Sequence, residues 1–408
     1  MLLKNKNILV SVTASIAIYK SLELIRLYIK AGANVKVIMT DGAKKFISPI
    51  TFEAISQNKV LDEDSENWDK NSDYNHIDIG KWADVFVIAP ITANTINKLA
   101  NGIADNLLTQ TVLAYPGIKI IAPAANTNMI KNPITQDSLK KLENYNFEIV
   151  SSQIKELACK DVGDGAMADP EDIFYETARE LLKDEYWIGR KTVLSGGGTI
   201  EKIDDVRYIS NFSSGKMASS MALSLYLKGA DVCLVSSRGY EKLPKRIHTI
   251  PVQSSNEMYE HLVSSTRIAK KDSKKKPYLF MVAAISDYIP TAPEHGKLKK
   301  DMIGTTWKLN LKQNMDILNS LDKEDIFSIG FKAEMDETVA LSNAQNMLGK
   351  KKLDGVCLNV LDEKNSFGSD SNNIELVLKE SNYKFSGDKV DISGDILDTL
   401  KGEFKDNE

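Results

Sequence analysis

Cysteine is scarce, with three in 408 residues, at positions 159, 233 and 357. Cysteines so few and so far apart form neither a disulfide framework nor a metal cluster, and a reducing, cytoplasmic setting is expected. Long apolar runs are also missing. None approaches the roughly 18–20 residues that cross a bilayer, so no transmembrane helix is expected. The first residues, MLLKNKNILVSVTAS, lead straight into a strand-like segment without the build of a secretory signal. An excess of either charge is lacking too. Net charge is −4 from 52 basic and 56 acidic residues, so nothing global suggests nucleic-acid binding, and a phosphate on any ligand needs a local site. What remains is the balance of a soluble globular protein, 42% apolar and 26% charged. At 408 residues the chain exceeds one ordinary core, and two domains are expected.

The first half reads as βα repeats. Residues 7–11 (NILVS) form an apolar strand, followed by the small-residue turn Thr13-Ala14-Ser15. A helix is expected over 16–31 with Leu22, Ile25 and Ile29 on one face, stopped by Gly32, and the next strand is 35–39 (VKVIM). The cycle recurs at 85–89 (VFVIA) and 118–122 (IKIIA). Strands alternating with helices imply a parallel, doubly wound sheet. The acidic stretch 62–73 reads as a surface loop. Near 184–191 (DEYWIGRK) the pattern restarts, with strands expected at 192–195, 231–235, 279–284, 327–330 and 356–359 and a glycine turn at 196–198. The fold class is therefore α/β: a flavodoxin-like or Rossmann-like domain over 1–188 and a second Rossmann-like domain over 189–408. The halves share architecture without a residue-level repeat. The lysine run 270–276 reads as a solvated loop.

In open α/β sheets ligands bind at the carboxyl ends of the strands, where N–H groups of helix starts face anions. The turn at 11–15 is such a place, and the absence of GxGxxG there argues against a nicotinamide dinucleotide. Four further segments carry more information: NHIDIGKWAD (75–84), APITANTINKLANGIADNLL (89–108), APAANTNM (122–129) and ACKDVGDGAMAD (158–169). Over residues 1–185 these resemble the flavin-containing cysteine decarboxylases, in particular the phosphopantothenoylcysteine decarboxylase half of a bacterial bifunctional family.

That resemblance implies bound FMN. Loss of CO₂ from a cysteinyl carboxylate needs an electron sink, and flavin oxidation of the thiol provides one. His76 matches the family's essential histidine, Asn126 the asparagine that holds the substrate carboxylate, and Cys159 the proton-donating cysteine of a flap. Thr13, Ser15, Thr40, Thr92 and Asn94 match flavin contacts. The chain departs from the family pattern at Thr13-Ala14-Ser15, at Ala125, at Lys160 and at Gly165-Ala166-Met167, where an arginine usually stands.

The second half carries DVRYISNFSSGKM (205–217), AISDY (284–288), KLKK (297–300), NMDIL (314–318), GFKAE (330–334) and FGSDSN (367–372). Over about 190–395 these resemble phosphopantothenate–cysteine ligase, the other half of the same family. The implied reaction activates a carboxylate with CTP as an acyl-cytidylate, and a cysteine amine then displaces CMP. Charge on the transferred phosphorus calls for lysines and Mg²⁺ or a similar cation. Lys297, with Lys299 and Lys300, matches the triphosphate loop, and Asn211 the residue needed at the acyl-cytidylate stage. Asp287, Asn314, Asp316, Ile317, Phe331 and Lys351 match nucleotide contacts. Departures are the turn Gly196-Gly197-Gly198-Thr199, Met315 in place of proline, and Met347 in place of a nucleotide lysine.

The implied substrates are 4′-phosphopantothenate, cysteine and CTP. The implied assembly is a homo-oligomer with trimeric decarboxylase and dimeric ligase contacts, possible together in a dodecamer. Two other readings compete: a decarboxylase of peptide C-terminal cysteines, which has no use for a ligase half, and a non-catalytic regulatory flavoprotein, which has no need of His76, Asn126 and Cys159 together.

Overall fold

The structure is a computed structural model that describes residues 1–68, 75–156, 162–239, 243–272, 274–299, 304–361 and 368–406. It divides into two compact units, Met1–Leu182 and Lys183–Glu408. Among the described residues no helix is long and apolar enough to cross a membrane.

The first unit is built on β1 (Asn7–Val12), whose Ile8, Leu9, Val10 and Val12 are all fully buried. A strand apolar on both faces must be covered on both, which fixes it at the centre of a parallel sheet. Around it stand β2 (Asn34–Met39), β3 (Val60–Leu61), β4 (Val85–Ile91), β5 (Lys119–Pro123) and β6 (Phe147–Ile149), in the order 3-2-1-4-5-6 and all parallel. This is the Rossmann order, with its switch point between β1 and β4.

The expected first helix is a 3₁₀ turn (Ile16–Ile18) followed by α1 (Tyr19–Lys30). Its buried stripe is Ser21, Leu24, Ile25 and Tyr28, and Ile29 faces outward. The expected face was displaced because two polar side chains reach partners inside. The Ser21 hydroxyl donates to the Ala89 carbonyl at 2.6 Å, and the Tyr28 hydroxyl meets that of Thr177 at 2.7 Å. Thr177 belongs to the helix Pro170–Leu182, which closes the unit. Before it, β7 (Gln153–Glu156) and β8 (Val162–Ala166) form an antiparallel hairpin.

The second unit repeats the plan. Its sheet contains β9 (Lys191–Gly196), β12 (Asp231–Ser236), β13 (His248–Pro251), β14 (Tyr278–Met281), β17 (Phe327–Glu334), β18 (Gly355–Val360), β19 (Ser371–Val377) and β20 (Asn382–Asp388); the short β10 (Glu201–Lys202), β11 (Tyr208–Ile209), β15 (Tyr288–Pro290) and β16 (Leu311–Gln313) pair outside it. Its order is β13-β12-β9-β14-β17-β18-β19-β20, parallel up to β18 and antiparallel beyond. The glycine turn follows β9. Gly197 has φ +78°, and a Cβ on Gly198 would lie 2.8 Å from the Asn211 carbonyl oxygen, so both positions require glycine.

The boundary between the units falls at Leu182/Lys183, earlier than the 188/189 anticipated from sequence. Trp187 and Arg190 explain the shift, since both are fully buried in the second unit. The Arg190 guanidinium donates to both Asp406 oxygens, at 3.0 and 2.5 Å, and to the Lys276 carbonyl at 2.6 Å. It also stacks 3.8 Å over the Tyr186 ring. The lysine run is not simply solvated. Lys275 donates to the Tyr186 and Ile188 carbonyls, Lys276 lies 4.3 Å over the Phe327 ring, and Lys270 pairs with Asp322 at 2.7 Å.

Removing the carboxylate leaves a buried guanidinium without its counter-charge. Asp406→Ala is expected to destabilise the second unit by about 2–3 kcal/mol, whereas Lys405→Ala changes stability by under about 0.5 kcal/mol. Urea midpoints of the two variants test this.

Candidate functional site

Where β1 and β4 part at the carboxyl edge, the loops that follow them turn to opposite faces and leave a crevice. Its rim is made of helix starts. Ser15 caps the 3₁₀ turn by accepting from Ala17 N–H at 3.2 Å. Thr40 caps α2 (Asp41–Lys44), accepting from Ala43 N–H at 3.3 Å, and Thr92 caps α5 (Ala93–Ala100), accepting from Thr95 N–H at 3.4 Å. The strands these caps follow, β2, β1 and β4, are neighbours in the sheet. Asn94 is exposed in the first turn of α5. Thr13 differs from the others. It is buried, its hydroxyl donates to the Pro90 carbonyl at 2.9 Å and accepts from Thr92 N–H at 3.0 Å, and so it ties the two loops together.

Two buried hydroxyls in this unit, Ser11 Oγ and Thr127 Oγ1, have no partner among the described residues. Ser11 ends the core of β1, and Thr127 begins α7 (Thr127–Lys131) after β5. Orphaned hydroxyls and helix-start N–H groups at a switch point fit a phosphate-bearing flavin such as FMN.

His76 opens α4 (His76–Trp82), which Asn75 caps by accepting from Ile77 and Asp78 N–H at 3.0 and 2.9 Å. The far end of α4 runs through Asp84 to the amino end of β1, and His76 stands at the other end of the helix. Its Nδ1 lies 2.8 Å from Glu66 Oε1. Glu66 belongs to the acidic stretch read as a plain surface loop, and no motif there marks it.

Asn126 follows β5 and caps α7, its carbonyl accepting from Asn128 N–H at 2.9 Å. With the carbonyl engaged, its exposed amide presents NH₂ donors, the polarity that a carboxylate needs. Cys159 and Lys160 lie outside the described residues. The strands on either side of them are β7 and β8, and β8 rests on the Asn126 loop, with the Gly165 carbonyl accepting from Ala125 N–H at 3.1 Å. His76 and Asn126 thus each have a partner of their own, Glu66 for the ring and Asn128 N–H for the amide carbonyl.

In the second unit a cavity of about 480 Å³ opens at the carboxyl ends of β14 and β17. Asp287, Asn314, Asp316, Ile317, Phe331 and Lys351, all anticipated as nucleotide contacts, line it together with Met315 and Met347. Asn314 is set by its own bonds, Nδ2 to the Ser286 carbonyl at 2.8 Å and backbone N–H to the Asp287 carbonyl at 2.8 Å. Asp316 caps the helix Ile317–Ser320 and pairs with Lys351 at 3.2 Å. The buried Ser286 hydroxyl on this wall has no partner among the described residues.

A smaller cavity of about 150 Å³ has Ala283 and Phe331 in common with the first, and its far wall holds Ser213, Ser214, Lys216 and Lys389. Asn211 stands nearby, its amide donating to the Ile285 carbonyl at 3.0 Å. It does not cap α10 (Lys216–Leu227), which begins on Gly215.

Lys297 is in neither cavity wall. It is exposed, and its loop is clamped from both sides: Gly296 N–H donates to Asp205 at 2.7 Å and Leu298 N–H to Asp204 at 3.2 Å. Lys299 is exposed on the same loop, and Lys300 lies outside the described residues. Burial pushes the Asp204 carboxyl upward, but N–H groups of Val206, Arg207 and Leu298 and the Arg207 charge outweigh it and hold the carboxyl below the usual range. Neither aspartate was anticipated; Asp205 opens the signature segment and Asp204 immediately precedes it. Among the described residues no group of three or more His, Cys, Asp or Glu could hold a metal ion.

Residues 2–182 match the family model Flavoprotein, and 187–403 match the C-terminal domain of the DNA/pantothenate metabolism flavoproteins. The chain is 34% identical over 409 residues to the coenzyme A biosynthesis bifunctional protein CoaBC of Haemophilus influenzae, covering 98% of each chain. It belongs to this bifunctional family of coenzyme A biosynthesis. Its likeness to the family member from Bacillus subtilis is of the same order, 34% over 407 residues, covering 98% of this chain and 97% of that one. Among solved structures, a PPC decarboxylase mutant complexed with pantothenoylaminoethenethiol is 31% identical, with a TM-score of 0.40 over 43% of this chain and 97% of that one. The first unit is thus a flavoprotein decarboxylase domain and the second a ligase domain of this family.

Two outcomes test the geometry. A Cβ on Gly165 would lie 2.0 Å from the Ala125 carbonyl oxygen. Gly165→Ala is therefore expected to lift β8 off the Asn126 loop, raising proteolysis within 153–166 and lowering decarboxylation by more than about 10-fold with the ligase intact. Because Asp204 titrates lower folded than unfolded, its contribution is complete above about pH 4 and is lost as pH falls through the folded value. Asp204→Asn should therefore lose part of the acid dependence of the second unit's urea midpoint between pH 7 and 3.

Proposed function

We propose that the chain performs two successive reactions of coenzyme A assembly in the cytoplasm. The ligase domain, the second unit, joins cysteine to 4′-phosphopantothenate with CTP. The decarboxylase domain, the first unit, then converts the product to 4′-phosphopantetheine with FMN. The observation that carries this reading is the convergence of six anticipated nucleotide residues on one cavity wall.

In the ligase reaction a substrate carboxylate oxygen bonds to the α-phosphorus of CTP, and pyrophosphate leaves. The cysteine amine then bonds to the acyl carbon, CMP leaves, and the amine loses its proton. The two adjoining cavities suit this order, the larger holding the cytidine against Phe331 and Asp287, the smaller the pantothenoyl chain beside Ser213 and Lys216. Lys351, already paired with Asp316, adds little net charge. Neutralising the triphosphate falls to Lys297, with Lys299 and Lys300, on its clamped loop and to Mg²⁺ carried in with the nucleotide.

In the decarboxylase reaction bound FMN supplies reversible two-electron chemistry at the thiol-bearing carbon. Ser15, Thr40, Thr92 and Asn94 hold it. Thr13, also expected to touch it, keeps their loops in place. Asn126 donates its amide protons to the substrate carboxylate, His76 accepts a proton, and Cys159 returns one. Trimeric contacts of the first unit and dimeric contacts of the second, joined in a dodecamer, belong to the same reading and rest on the family resemblance.

Incubated with 4′-phosphopantothenate, cysteine and CTP, the pure protein should release pyrophosphate and then CO₂; absence of both rejects the proposal. Cys159→Ser should stall decarboxylation while pyrophosphate release continues, and full turnover would remove Cys159 from its role. Phe331→Ala should raise the KM for CTP about 10-fold and leave decarboxylation of supplied phosphopantothenoylcysteine unchanged.

A further inference from the structure

We propose that Glu66 is the positioning residue of His76, fixing which ring nitrogen faces the decarboxylase substrate. The inference deepens the reading of the first unit given above. Glu66 Oε1 lies 2.8 Å from His76 Nδ1 and 3.4 Å from the backbone N–H of the same histidine. One carboxylate oxygen thus meets both the ring and the main chain to which the ring is attached, which sets the side-chain torsion. The main chain is itself fixed, because Asn75 caps the two following N–H groups. From the other side Trp68 meets the imidazole edge to face, with ring centres 5.2 Å apart. Both partners of the pair are only 22% exposed.

An ionised carboxylate accepts hydrogen bonds and donates none, so Nδ1 is the nitrogen that carries the proton. The neutral imidazole is then the Nδ1–H form, and Nε2 holds its lone pair free. A histidine that must accept a proton from a thiol needs that lone pair in a fixed direction, and a second group on the far nitrogen is the usual way to fix it. A surface imidazole without such a partner divides between two tautomers and several rotamers, and only a fraction of it is competent at any moment.

The test uses the full-length holoenzyme and three variants, Glu66→Ala, Glu66→Gln and, as control, Glu63→Ala. Glu66→Ala should lower kcat for CO₂ release by about 10–100-fold with little change in KM, in the flavin spectrum or in pyrophosphate release. Glu66→Gln, whose amide oxygen still accepts from Nδ1–H, should restore most of the rate, and Glu63→Ala should match wild type. Nitrogen-15 histidine spectra supply a readout independent of turnover. The His76 resonances, assigned by their loss in His76→Asn, should show the Nδ1–H tautomer in wild type and a mixture in Glu66→Ala. An unchanged kcat, a parallel fall in ligase rate, or a wild-type spectrum dominated by the Nε2–H tautomer would each overturn the proposal. If wild type releases no CO₂ from phosphopantothenoylcysteine, the assigned reaction fails, and the tautomer spectra alone decide the pairing.

Discussion

A helix that starts at the end of a parallel strand has N–H groups with no partner inside the helix, and something else must accept from them. That constraint organises both units. Ser15, Thr40, Asn75, Thr92 and Asn126 are among the caps that meet it in the first unit and Asp316 in the second, each by accepting from N–H groups two or three residues ahead. Capping draws Ser, Thr, Asn and Asp to these positions for stability alone, about 1 kcal/mol apiece. The same side chains then stand at the one edge of the sheet where a ligand can enter. Structural need and chemical opportunity coincide at single residues, and the cap decides which face of the side chain remains for other work. At Asn126 it takes the carbonyl and leaves the donors.

The two units use this edge differently. In the first, the hydroxyl rim lies at a switch point, and the buried hydroxyls of Ser11 and Thr127 have no partner among the described residues, an environment set up by backbone and short polar groups. The second encloses space with side chains, and Phe331 separates a larger compartment from a smaller one. Lys297 stays outside both, on a loop whose backbone is held by Asp204 and Asp205.

Much of this was legible from residue order alone. Apolar runs such as 7–11 and 85–89 marked the central strands because a strand covered on both faces has no polar alternation. Motif matches singled out His76, Asn126, Asn211 and the residues that line the larger cavity because each is marked by its own identity at a fixed place in a motif. The missed features depend on partners far off in sequence. Tyr28 and Ser21 turn α1 because Thr177 and the Ala89 carbonyl lie within it, and no helical periodicity contains that information. Glu66 and Asp204 accept hydrogen bonds from a ring and a loop that are named in the motifs, while their own positions look like ordinary surface acids. Trp187 and Arg190 resemble a linker until Tyr186, Phe327 and Asp406 are seen around them.

The Arg190–Asp406 contact bears on how the chain comes off the ribosome. The first unit has all of its own strands and helices once Leu182 has been made, and it can settle early. The second places a guanidinium in its interior at residue 190, and the acid that neutralises it arrives 216 positions later. Until then the guanidinium stays in water, so burying Arg190 against its counter-charge is a late step in the folding of the second unit.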